Sequence, residues 1–335
     1  MHSGIQNPHG GVARYYRSDS ATNAPVSTEI TGYAASTLTY LHSRTGKQEY
    51  LDAAVRAARY LTDRAWDSAA STFPFEPGSD RAYFFDIGII VRGLLAVWRA
   101  TGEEEFHARA QEATLSMAFD FLGDGSFHPV ISLPDKQPLP EEPRWSRQPG
   151  CYQLKSALAW REIGDPHARQ LFDAAVAFAL TNQERFLEEE KDREKLMDRL
   201  HAYCYFLEAL LFTDDARDVL ASGIARVGQL LREISPSFER SDVNAQLLRV
   251  RLVAQHLGAV PLDEGAAREE AASAASFQAC DSADVSLRGG FWFGRKGTQM
   301  LPFSNPVSTA FCLQALALWD DHQAERWNFG LQQLI

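Results

Sequence analysis

"FFDIGIIVRGLLAVWRATG", Phe84 to Gly102, runs directly into "EEEFHARAQEATLSMAFDFL", Glu103 to Leu122. The first half is apolar on nearly every side, so a helix made from it must be buried all round. The second half is more amphipathic, and a helix made from it covers a neighbour while facing water with its charged side. Between the two stands only "TG". A glycine just past a helix end can take the left-handed backbone that closes the helix. A buried helix, an abrupt stop and a covering helix make one hairpin.

The same pattern recurs along the chain. "ITGYAASTLTYLHSRTG" ends at Gly46 and is followed by "KQEYLDAAVRAARYLTDRAW", in which Leu51, Ala54, Val55, Ala58 and Leu61 share a face. "GCYQLKSALAWREIG" ends at Gly164 and is followed by "DPHARQLFDAAVAFALTNQERFL". Three further pairs are less marked. "RLHAYCYFLEALLF" precedes "DDARDVLASGIARVGQLLREI", "SDVNAQLLRVRLVAQHLG" precedes "DEGAAREEAASAASFQAC", and "PVSTAFCLQALALWDD" precedes a short tail, "QAERWNFGLQQLI". Repeated helical pairs of this kind form stacked arrays or closed rings. The last covering helix is short, which leaves the N-terminal segment to help complete a ring.

The connectors are unequal. Those leaving a buried helix are often just "TG". Those leading into one are long and rich in aromatics, Gly and Pro: "DSAASTFPFEPGSDRAYF", "GDGSFHPVISLPDKQPLPEEPRWSRQP" and "RGGFWFGRKGTQMLPFSN". Strand-like stretches lie only in such connectors, as in "GSFHPVISL" and "GGFWFGRK". In a ring of hairpins the long connectors gather at one end, and long loops on a rigid scaffold are where binding and catalysis usually sit. The word "PVST" occurs twice, at Pro25–Thr28 and Pro306–Thr309, each time after a glycine-led connector and before a buried helix. Pro and Ser/Thr there read as matching joints of a repeat, stopping the connector and capping the helix.

Of the 335 residues, 45% are hydrophobic and 23% charged, in keeping with a globular protein. A net charge of −11 argues against nucleic acid and anionic membranes as partners. No apolar run reaches the roughly 18–20 residues of a membrane span. The start, "MHSGIQNPHGG", lacks the regions of a signal peptide. The four cysteines, Cys151, Cys204, Cys280 and Cys312, form no CxxC pair, so neither a disulfide framework nor a zinc cage is expected and a reducing, cytoplasmic setting is the default. The charge run "EEEKDREK", Glu188 to Lys195, reads as a solvated corner. No phosphate loop, GxSxG elbow or HExxH zinc motif is present, and neither a cofactor nor a metal is expected. Oligomeric state is not set by any of this.

Six buried-then-covering hairpins with aromatic loops before the buried helices resemble the six-hairpin glycosidase superfamily, whose fold is an all-α (α/α)6 toroid. The resemblance spans nearly the whole chain and implies a single domain, 1–335. "FFDIGIIVRGLLAVWRATGEEEF", Phe84 to Phe106, is similar to the segment of unsaturated glucuronyl hydrolases in which an Asp opens a buried helix ending in "TG". In that family this Asp is an active-site carboxylate, and the matching residue is Asp86. "EITGYAASTLTYLHSRTGKQEYLDAA" looks like the first hairpin of those hydrolases and of the sugar 2-epimerases. The hydrolases carry a second Asp where the third buried helix begins; here that stretch reads "RWSRQPGCYQL". The resemblance implies a carbohydrate partner and a glycoside hydrolase-like activity on a glycan containing uronic acid.

Each candidate residue has a structural alternative. Asp86, near a helix start, could be an acid favoured by free N–H groups and the helix dipole. The same holds for Glu29, which follows the first "PVST". Glu29 shares a helical face with Tyr33 and could pair with Asp86, since glycosidic hydrolysis needs two carboxyl groups about 5–9.5 Å apart. Glu76 in "FPFEPGSD" is either a loop acid or a further carboxyl of the site. His201 and Tyr205, four apart in "LHAYCYF", suit the proton abstraction of a lyase or epimerase, or else form the polar end of a packed helix. Tyr83, Arg144, Trp145, Arg147, Tyr152, Trp292 and Arg295 are aromatic and basic residues able to stack on sugars and grip carboxylates, or simply to pack loops. A toroid without chemistry, binding sugar or acting as a scaffold, is the third alternative.

Overall fold

The computed structural model describes residues 3–188, 190–213, 216–235 and 237–335. The first two residues of the opening segment, Glu189 in the charge run, and the Asp214–Asp215 start of the fourth covering helix lie outside them. Eleven α-helices occur among the described residues: α1 (Thr28–Thr45), α2 (Gln48–Tyr60), α3 (Phe84–Thr101), α4 (Glu104–Asp120), α5 (Leu154–Ile163), α6 (Pro166–Glu188), α7 (Arg193–Leu210), α8 (Arg217–Ile234), α9 (Ser241–His256), α10 (Glu264–Ser276) and α11 (Pro306–Gln323). No described helix is long and apolar enough to cross a membrane.

By its internal contacts the chain falls into two compact units. The first comprises Met1–Arg14, Asn23–Ala179 and Ile335; the second comprises Tyr15–Thr22 and Leu180–Leu334. In the first unit α3 packs against α1 on one side and α5 on the other, with α2 and α4 folded back over α1 and α3. In the second, α9 lies between α7 and α11 and is covered by α10, while α8 covers α7.

The stops read from the sequence are real. Gly46, Gly102 and Gly164 close α1, α3 and α5 in the left-handed region, at φ 67°, 74° and 78°. A side chain there would be strained, which is why these helices can turn so sharply. Buried helices also approach one another closely where they lack side chains. A Cβ on Gly93 of α3 would sit 2.4 Å from the Gly32 carbonyl oxygen of α1, and one on Gly88 would sit 2.5 Å from Ser156 of α5. The short strands fall in the long connectors as expected: Arg81–Tyr83 pairs with Val130–Ser132, and Glu239–Arg240 with Gly294–Lys296.

Two sequence readings change. The copies of "PVST" do not join their helices alike. In the first, Ser27 caps α1, its Oγ accepting from the Ile30 N–H. In the second, Asn305 is the cap, accepting from the Ser308 N–H at 2.6 Å, and Pro306 already forms the first turn of α11. Asn305 supplies a cap directly before Pro306, a residue suited to the first helical position, so the helix starts earlier than at the serine three residues on. The charge run is also not simply a corner: Asp192 caps α7 by accepting from Glu194 and Lys195 N–H, and Arg193–Lys195 are helical. After α11 the described chain forms only a 3₁₀ turn, Leu331–Gln333, so the short last covering segment is as expected.

Candidate active site

In the first unit three segments are tied together where α1 begins. Val12 N–H donates to Thr31 Oγ1, Ser27 N–H to Val12 O and Arg14 N–H to Pro25 O, each at 3.0 Å. Thr28 Oγ1 donates to the carbonyls of Pro74 and Phe75 at 3.1 and 2.9 Å. This knot lays residues 12–14 and 74–76 beside the first turn of α1. Arg14 bonds Glu76 through Nη2, and its guanidinium carbon lies 4.7 Å from the centroid of the Phe75 ring.

Glu29 is the second residue of α1 and Asp86 the third of α3. The two helices meet through Gly32, where a Cβ would sit 2.9 Å from Ile90 Cα, and each acid lies about one turn earlier on its own helix. Asp86 is only 7% exposed, and Glu29 is partly open to solvent. Asp86 does not cap its helix: Oδ2 is buried and accepts no hydrogen bond among the described residues. Burial pushes the Asp86 carboxyl well above the ordinary carboxylate range, the charge of Glu29 pushes it further, and Arg14 opposes both. Burial likewise pushes Glu29 up to about 7, again against Arg14. Both acids sit at the positive ends of helices, which favours the anion, yet loss of water outweighs that help. Two neighbouring carboxyls of raised proton affinity suit a division of roles, one protonated as acid and one ionised as base.

Tyr83 and Tyr152 face the same region. Burial raises the phenol of each, and the charge of Asp86 raises it further. Arg147 stands over the Tyr83 ring at 5.1 Å, and the edge of Trp145 meets Tyr152 at 5.0 Å. Tyr33 is buried one turn beyond Glu29, and Arg144 is exposed with its charge reaching Tyr83. Glu76 is engaged by Arg14. The first unit thus assembles Asp86, Glu29, Tyr33, Glu76, Tyr83, Arg144, Trp145, Arg147 and Tyr152.

His201, Tyr205, Trp292 and Arg295 belong to the second unit. His201 Nδ1 lies 2.7 Å from Gln246 Oε1 and 3.9 Å from Asp242 Oδ2, with the Tyr205 ring 4.6 Å away. With the amide oxygen as acceptor, Nδ1 carries the proton and Nε2 is left as a base. Burial and the Arg240 charge push His201 down to about 4 against the pull of Asp242, so it is neutral at pH 7. Asp242 is gripped by Arg240 in a two-bond fork of 2.9 and 2.7 Å, and Ser308 Oγ donates to it at 3.1 Å. Arg295 is committed to Glu239, with Nε at 2.8 Å and Nη2 at 2.6 Å from Oε2. The Trp292 carbonyl accepts from Ser241 Oγ at 2.7 Å, which helps anchor the start of α9.

Sequence reasoning passed over Arg14, Asp242, Arg240 and Gln246. Asp242 carried a signal: like Asp86, it opens an apolar helix after an aromatic connector. Arg14 carried none, because its partners lie far along the chain. Among the described residues no cluster of His, Cys, Asp and Glu is suited to a metal.

No protein-family model matches the sequence, and no curated protein matches it. Solved structures do resemble it. The cellobiose 2-epimerase of Spirochaeta thermophila superposes with a TM-score of 0.72 at 15% identity, covering 96% of this chain and 93% of that one. A D-mannose isomerase gives 0.65 at 11%, covering 93% of each. A GH76 α-mannanase of Bacteroides thetaiotaomicron gives 0.62 at 14%, covering 96% and 94%. The chain therefore has the all-α fold of these structures, the (α/α)6 toroid.

Proposed function

We propose that this chain is a carbohydrate-active enzyme of glycoside hydrolase type, with all 335 residues acting as one catalytic domain. Asp86 and Glu29 are its acid/base pair. The observation that carries this reading is Asp86, buried beside the partly open Glu29 whose charge acts on it, with a carboxylate oxygen, Oδ2, that bonds nothing among the described residues. Burying a carboxyl without a partner is costly, and sites of chemistry are where such a cost is commonly met. One protonated carboxyl can give its proton to the leaving oxygen of a glycosidic bond while the ionised one attacks the sugar or activates water. Tyr83 and Trp145 offer aromatic faces to the sugar, Tyr152 is fully buried behind them rather than open to substrate, and Arg147 suits the carboxylate of a uronic acid. The names of the similar structures all refer to carbohydrates. Four free cysteines support a reducing, cytoplasmic setting.

The test is a panel of neutral and uronic-acid-containing oligosaccharides with product analysis. Hydrolysis yields new reducing ends, and Asp86→Asn and Glu29→Gln abolish them. No loss of activity in Asp86→Asn would remove that residue from the mechanism. A second reading, sugar epimerisation, is favoured by His201, a neutral imidazole with Nε2 left as a base beside Tyr205. It predicts conversion without a change of mass, dependent on His201 rather than on Asp86. Unsaturated uronate absorbance would signal β-elimination instead.

A further inference from the structure

Arg14 is not among the residues that the acid/base reading requires, yet its surroundings single it out. It reaches the site from an N-terminal strand-like segment rather than from a helix. Backbone bonds on either side, Ala13 N–H to Ile5 O at 2.9 Å and Arg14 N–H to Pro25 O at 3.0 Å, fix its main chain. Its side chain is held twice, by the ion pair to Glu76 and by the Phe75 ring. Residues 74–75 are in turn held by Thr28, the residue next to Glu29.

Building on the acid/base reading, we propose that Arg14 is the positioning residue of the Glu29–Asp86 pair: a cation clamped by Glu76 and Phe75 that favours the ionised member of the pair. The groups facing the pair leave Arg14 a distinct role. Tyr83 approaches from the strand before α3 and Tyr152 from the turn before α5, and neither is cationic; Lys155, a buried cation on α5, is committed to the main-chain oxygen of Ile335 at 2.9 Å. Arg147 and Arg144 act on Tyr83. Arg14 is the cation whose charge lowers the proton affinity of both carboxyls. Without it, burial would raise both carboxyls unopposed and disfavour the ionised member of the pair, which is the base. Glu76 takes on a definite task as well: it orients the guanidinium and matches part of its charge. That account of Glu76 needs no contact with sugar.

The test uses the full chain labelled with ¹³C at the side-chain carboxyls of Asp and Glu, titrated by NMR, with Asp86→Asn and Glu29→Gln assigning the two signals. Arg14→Gln and Arg14→Met remove the charge, and Met keeps the stem over Phe75. Either variant, checked for folding by circular dichroism, should raise the midpoint of the pair by about one pH unit, a tenfold rise in proton affinity. Arg14→Lys should recover part of the shift, since lysine keeps the charge but lacks the fork that Glu76 holds. If the midpoint in a folded charge-free variant stays within 0.3 unit, roughly twofold, of the parent, the proposal is overturned. If the midpoint moves but no oligosaccharide is turned over by the parent protein, the carbohydrate reading fails and the role of Arg14 stands. If sugar is turned over with the same pH profile in Arg14→Gln and no shift in the midpoint, the role of Arg14 fails alone.

Discussion

Asp86 in the first unit and Asp242 in the second begin from similar positions and end in opposite states. Each lies in the first turn of a buried helix, and each helix follows a short strand: Arg81–Tyr83 before α3, Glu239–Arg240 before α9. Both carboxyls are almost fully buried. Asp242 is met by the Arg240 fork, the Ser308 hydroxyl and the nearby His201, and these hold its carboxyl below the ordinary range despite burial. Asp86 has no hydrogen-bond partner for Oδ2 among the described residues and is pushed far above that range. Elsewhere in the second unit Arg249 pairs with Glu208 where both side chains are fully buried, and Arg251 pairs with Glu270 at 2.9 Å. A single cation is not always enough: burial still pushes Glu270 up to about 7 against Arg251. Asp242, with an arginine fork and a hydroxyl, braces the fold; Asp86, with a buried oxygen that bonds nothing among the described residues, is left with its proton affinity raised.

Substitutions can break this contrast. The largest effect expected is on activity: Asp86→Asn should lower kcat by about 10²–10⁴-fold with binding of product little changed, measured on whichever oligosaccharide the panel identifies. Asp242→Asn should act on stability instead, costing up to about 3 kcal/mol by removing the buried partner of Arg240 and leaving it only Asp198, read from denaturant unfolding. In the same assay Asp86→Asn should stabilise the protein by about 1–3 kcal/mol at pH 8, because it removes a buried carboxylate without a hydrogen-bond partner. The pH sense follows from the direction of the shift. A carboxyl raised in the folded state favours folding at low pH, and that benefit is lost as pH rises from the unfolded value, near 4, through the folded one. The gap between Asp86→Asn and the parent should therefore widen from pH 4 upward. Were it flat, the Asp86 carboxyl would not be raised.

Two smaller effects sharpen the comparison. Gly93→Ala should cost about 1–3 kcal/mol, since its Cβ would meet the Gly32 carbonyl of α1 at 2.4 Å and part the helices that carry the acidic pair. It should therefore lower activity as well as melting temperature. His201, pushed down to about 4, contributes stability that is present above about pH 6.5 and lost as pH falls towards 4. His201→Gln should accordingly make unfolding less sensitive to acid across that window, by about 1 kcal/mol or more.

Much of the fold was legible because its signals are local. The "TG" stops at Gly46 and Gly102 and the all-round apolar stretch of α3 depend on neighbours in the chain, and helix periodicity needs nothing more. Asp86 and Glu29 could be singled out for the same reason, as acids at helix starts beside long connectors. Their state could not. An acid in a first turn reads the same whether it caps, pairs or stands bare, and the difference lies in contacts between distant residues.

The chain order by itself determined the succession of buried and covering helices and the places where they stop, because side-chain periodicity and the freedom of glycine are properties of short segments. Only the tertiary structure decided that Asn305 rather than the second serine of "PVST" caps α11, that Arg295 is committed to Glu239, and that Arg14 stands by the acidic pair 72 positions before Asp86. Burial and charge compensation are set by what surrounds a group in space, and a carboxyl becomes an acid, a base or a brace according to those surroundings.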